Sequence, residues 1–111
     1  VAVPDKTFTF DYPRATTTWS HLLDDFRGAA EYSKEIHYID WIKNVMKIPQ
    51  QDVNGLLAHL LTEQYSIHFH TWTANSLREF LRKCQEDLVF PFSLCDFARN
   101  GYELVAILKK T

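Results

Sequence analysis

Phe92-Ser93-Leu94-Cys95-Asp96-Phe97-Ala98-Arg99-Asn100-Gly101-Tyr102-Glu103-Leu104-Val105-Ala106-Ile107-Leu108-Lys109 carries the decision between fold classes. After Pro91, Phe92 to about Ala98 predicts a strand. Asn100-Gly101 is the strongest hairpin signal in the chain, because a type I′ turn needs positive φ at both central positions. The final strand, Tyr102 to Lys109, contains the uninterrupted apolar run Leu104 to Leu108. A strand apolar on both faces is expected inside a sheet, covered on both sides. A two-residue hairpin pairs it along one edge only. The remaining candidate neighbour is Val1-Ala2-Val3, which reads like the tail of a buried strand. The sheet is therefore expected to be incomplete, continued by missing chain or closed by a partner.

Upstream of the hairpin the pattern is helical. Thr73 is the expected cap of a helix with Leu77, Phe80, Leu81, Cys84 and Leu88 on its inner face. Its outer face offers Glu79 to Lys83 and Arg82 to Glu86 as i, i+4 pairs. Before it, Ile67-His68-Phe69-His70-Thr71-Trp72 alternates like a short strand. Three more helices are predicted. The first follows Thr17 or Thr18 as cap and lines up Trp19, Leu22, Leu23 and Phe26. The second runs from a Ser33 cap to about Lys47, stopped by Pro49, and is apolar around more than half its circumference. The third covers roughly 50 to 64, with Val53, Leu56, Leu57, Leu60 and Leu61 in register. Residues 5 to 15 form a polar, aromatic-rich excursion. The expectation is one α/β domain over 1–111: strand end and aromatic loop (1–15), helical insertion (16–65), then strand, helix and hairpin (66–111).

Composition removes several classes of function. With 46% hydrophobic and 23% charged residues the chain is expected to fold. A net charge of −2 with no basic cluster argues against a nucleic-acid surface. No apolar run approaches the ~20 residues of a membrane span. Cys84 and Cys95 are too few for a disulfide framework or zinc ribbon, and both fall at apolar positions, so they read as small core hydrophobes in a reducing, cytoplasmic setting. Gly28, Gly55 and Gly101 are the only glycines and lie far apart. No G-x-G-x-x-G fingerprint, P-loop or G-x-S-x-G elbow is possible.

The side chains that carry chemistry are mostly histidines and aspartates. His68 and His70, two apart on an expected strand, share a face. They read as a metal pair lacking a third ligand, as a polar active-site rim, or as structural hydrogen-bonding groups. His21 and Asp25 stand one turn apart in the first helix, either near a ligand mouth or on open surface. His37 and Asp40 lie i, i+3 on the polar strip of the second helix, where a solvated face is favoured over a general base.

The element order resembles the second half of a class I S-adenosylmethionine-dependent methyltransferase. Val3-Pro4-Asp5-Lys6, then Thr7-Phe8-Thr9-Phe10-Asp11, looks like the segment leaving strand five in a bacterial methyltransferase-like group. Arg14 and Thr17 to Phe26 are similar to the helix that follows, and His68 to Thr73 to the entry of the last helix. The closing hairpin would be strands six and seven. The resemblance implies the carboxy-terminal half of a Rossmann-like fold, with the last strand between the fifth and sixth. It places the cofactor loop before Val1, so no cofactor is expected on this chain alone and S-adenosylmethionine only on a full-length parent. Asp5, Lys6, His21, Asp25, His68 and His70 become candidates for the pocket of a small-molecule acceptor. The implied partner is the missing amino-terminal half or a second copy joined at the open sheet edge. Two other readings stand beside it: a non-catalytic assembly module that dimerises through the sheet edge and the Trp41 face, and a small metal-dependent enzyme using His68 and His70.

Overall fold

A computed structural model describes all residues, 1–111, as a mixed α/β chain. Its contacts divide it into two compact units, one made of residues 1–9 with 72–111 and one of residues 10–71.

The first unit holds the sheet. Strand β1 (Ala2–Pro4) and strand β2 (Phe92–Asn100) pair with opposite edges of β3 (Glu103–Lys110), giving the order β1-β3-β2. Both pairings are antiparallel, with Val3 opposite Leu104 and Phe97 opposite Ala106. The expected hairpin and the expected neighbour of the final strand are both present. The turn sits one residue later than the Asn-Gly pair suggested. Asn100 pairs with Glu103, and of the central residues Gly101 and Tyr102 only Gly101 has positive φ, at 63°. That is the pattern of a II′ turn, which needs glycine at its first central position.

The final strand is interior, but its two faces are not equally covered. Leu104 and Ala106 are fully buried, while Ile107 on the other face is 54% exposed. Cys95 departs from expectation and is exposed. The register shifts between Leu94 and Asp96, a bulge that takes Cys95 out of the regular alternation. Cys84 is buried as expected. It lies on helix α4 (Ala74–Glu86) with Leu77 and Leu81. Thr73 caps that helix in a reciprocal capping box with Ser76. On its outer side Arg82 bridges Glu79 and Glu86, so Glu79 pairs with Arg82 instead of Lys83.

The second unit is helical. Helix α1 (Trp19–Asp24) begins at the Thr18 cap, whose hydroxyl accepts from the His21 amide. Helix α2 (Ala30–Asn44) starts earlier than the expected Ser33 cap. The chain breaks instead at Gly28, whose φ of 111° no L side chain adopts easily. Ser33 is buried inside the helix, its hydroxyl bonded to the Ala30 carbonyl. Helix α3 (Val53–Glu63) packs against α2 through Tyr38, Ile42, Val53, Leu57 and Leu60. Trp41 and Phe69, both partly exposed, pack against the rim of that core. The Tyr38 hydroxyl donates to the Tyr65 carbonyl at 2.6 Å.

Residues 67–72 do not form the expected strand. Only Trp72 makes a bridge, with Asp5 in the first unit. The backbone of this stretch is bonded elsewhere: Arg14 donates to the carbonyls of His68 and Phe69, and the Thr17 hydroxyl accepts from the Thr71 amide. With those groups occupied, no ladder can form along it.

Candidate functional site

The 10–71 unit draws three imidazoles around one carboxylate. Asp25 follows directly on α1, one turn beyond His21, and its Oδ2 lies 3.2 Å from His21 Nε2. His70 Nε2 approaches the same oxygen at 2.7 Å and His37 Nε2 at 3.8 Å. His21 and His37 meet at 2.9 Å between their Nε2 atoms. The rings contact one another edge to face, and Phe69 packs on His37. All four donor atoms fall within 4.8 Å of one another.

The Gly28 break makes this possible. In one straight helix, residues 21 and 37 would be separated by about 24 Å of rise. The turn at Gly28 folds α2 back, so that His37 returns to the residues that began α1.

Electrostatics match the geometry. Burial, then the neighbouring charges of His70 and His21, push the His37 pKa down to about 4, while Asp25 pulls it the other way. At neutral pH His37 is therefore an uncharged imidazole. Burial raises the Asp25 carboxyl, but the hydrogen bond from His70, the nearby Ser33 hydroxyl and the charges of His21 and His70 outweigh it and leave the carboxyl below its ordinary range. Its second oxygen, Oδ1, is buried and accepts no hydrogen bond of full geometry, because the neighbouring Ser33 hydroxyl donates to the Ala30 carbonyl. A cavity of about 260 Å³ opens beside the cluster, lined by Asp25, His37 and His70 together with Ser33, Lys34 and Phe69. A second, of about 240 Å³, reaches His21 and His37 from the side of Arg14 and Asp40.

Of the residues singled out in the sequence, His21, Asp25 and His70 come together here. His68 does not share a face with His70, since the stretch is not a strand. Its Nδ1 lies 2.6 Å from Asp11 Oδ2, and its ring stacks on Phe10. Asp11 is held in turn by the buried Arg14, which also pairs with Asp40. Asp5 and Lys6 belong to the other unit. Asp5 is 2% exposed, caps the 3-10 turn Lys6–Phe8 through the Thr7 amide and pairs with Arg99. Burial raises the Asp5 carboxyl, and its hydrogen bonds from Thr7 and Arg99 more than offset that, leaving it lowered. Lys6 donates its amide to the Trp72 carbonyl.

His37 is the residue that sequence reasoning places wrongly. Expected on a solvated strip, it is 8% exposed. Its supposed partner Asp40 accepts from Arg14 and Asn44 instead. The available signal was the narrowness of that polar strip on a helix otherwise apolar on more than one side. Polar groups so placed are buried only when satisfied.

No protein family, curated protein or solved structure matches this chain. A phosphate- or adenosine-cradling loop uses glycines where a backbone or ligand approaches closely. Gly28, Gly55 and Gly101 lie far apart in the chain and make up no such loop among themselves.

Proposed function

We propose that this chain is the acceptor-side, carboxy-terminal portion of a methyltransferase-like protein, inactive without a cofactor-binding portion. The observation that carries this reading is the strand order. A final strand inserted between its hairpin partner and an earlier strand, antiparallel to both, is the arrangement expected where strand seven lies between strands five and six. In this reading the chain's contribution is a binding pocket. The cavity of about 260 Å³ holds a small polar acceptor, with His37 and His70 offering ring nitrogens and Lys34 a cation at its wall. Fold-level likeness alone assigns no reaction to the isolated chain.

Calorimetric titration with S-adenosylmethionine, paired with an amide-resolved NMR screen of small hydroxyl- and amine-bearing compounds, tests the proposal. Acceptor-like compounds should move the resonances of Ser33, Lys34 and His70, and the cofactor should give no heat. Micromolar cofactor binding to this chain would overturn it.

A further inference from the structure

Three imidazole nitrogens and a carboxylate oxygen converge on one point from three separated pieces of the 10–71 unit. Four of their six separations are 2.7, 2.9, 3.2 and 3.8 Å and all lie within 4.8 Å, a spread that brackets a specific geometry. Donors bound tetrahedrally to one ion at the zinc–nitrogen length of about 2.0–2.1 Å stand about 3.3–3.4 Å apart. We propose that His21, Asp25, His37 and His70 bind one divalent transition-metal ion of the zinc class.

Hydrogen bonding accounts for the cluster less well. An uncharged His37 can accept from His21 across the 2.9 Å between their Nε2 atoms, but that satisfies a single donor–acceptor pair. The buried Oδ1 of Asp25 gains no partner from such a network. A cation at the shared point would take the lone pairs of all three rings and neutralise the carboxylate.

The donor set narrows the ion. Three imidazoles and one carboxylate suit zinc, iron, nickel or copper, whereas magnesium and calcium favour all-oxygen shells. The side chains of His21 and His70 are 29% and 30% exposed, which gives the ion a route in from solvent. The adjoining cavity leaves space for a further ligand atom on the same ion, where bound metal would polarise an acceptor hydroxyl or amine. The metal site shares the pocket assigned above to the acceptor but stands on the four side chains alone.

The test uses the chain without a polyhistidine tag. Metal content is measured by mass spectrometry after expression in zinc-supplemented medium, and chelator-stripped protein is titrated with Zn²⁺ and Co²⁺. One ion per chain is expected, with the intense visible bands of four-coordinate cobalt. His70→Gln and Asp25→Asn should each weaken zinc binding by at least about 10-fold, the loss typical of disturbing even an outer-shell partner. His68→Gln, outside the cluster, should bind as the parent does, and circular dichroism checks that all three are folded. Absence of saturable one-to-one binding would overturn the proposal. So would parental affinity in both cluster variants, or an equal loss in His68→Gln, which would mark diffuse chelation by surface histidines. The cofactor titration reports on the methyltransferase-like reading separately, and neither result decides the other.

Discussion

Arg14 is 1% exposed and spends its guanidinium on Asp11, Asp40 and the carbonyls of His68 and Phe69. Removing it would leave the buried Asp11 carboxylate without its cation. Arg14→Met is expected to cost about 3–5 kcal/mol, the range for breaking one side of a buried pair. Urea unfolding measures it, and a loss under about 1 kcal/mol, the scale of an exposed pair, would show that the network is not holding this unit together. His37 predicts a pH dependence at the same scale. It titrates at about 4 in the folded chain against an ordinary 6.5. Between those values the unfolded chain binds more protons, so stability rises with pH and is lost as pH falls from about 6.5 towards 4. In metal-free protein His37→Gln should flatten that slope. A parent whose urea midpoint stays constant across the window would contradict the burial of a neutral imidazole.

Among the elements, the break at Gly28 governs what the histidines can do. Its surroundings are open, so alanine there meets no clash, only the penalty of a φ of 111°. Gly28→Ala is expected to cost about 1–2 kcal/mol and to weaken zinc binding together with stability, because the return of α2 onto α1 depends on that turn. A folded variant with unchanged zinc affinity would separate the kink from the site. The periodic elements are legible in the sequence because their signals are local. The apolar rows of α3 and α4, the Thr18 and Thr73 caps and the closing hairpin all follow from neighbours a few residues apart. The stretch 67–72 is not, since its alternation promises a ladder that Arg14 and Thr17, more than fifty residues away, prevent by taking its backbone groups.

For the whole chain, bound metal and folding are linked by mass action. If the ion binds only the folded 10–71 unit, zinc at roughly 100 times its dissociation constant adds about 2.7 kcal/mol of stability. Thermal unfolding with and without chelator should show the midpoint rising with free zinc; a midpoint indifferent to zinc would mean that the folded state gains nothing from it. No helix is long and apolar enough to cross a membrane. The sheet presents two unpaired edges, β1 and β2, of which β2 spans nine residues and is largely exposed.

Local sequence was enough to give the mixed α/β class, the antiparallel hairpin, the interior place of the final strand and the lack of a glycine-rich motif between Val1 and Thr111. Each rests on short-range periodicity, turn chemistry or simple counting. It also put His21, Asp25 and His70 forward as candidates, one by one and without a common purpose. Folding in three dimensions was needed to bring them to one point with His37, to turn His68 to Asp11, and to make Asp5 a cap. Those outcomes depend on which long-range partners take up each polar group. The 3.6- and 2-residue periods hold no information about partners as far apart as His68 and Asp11, which are 57 positions from each other.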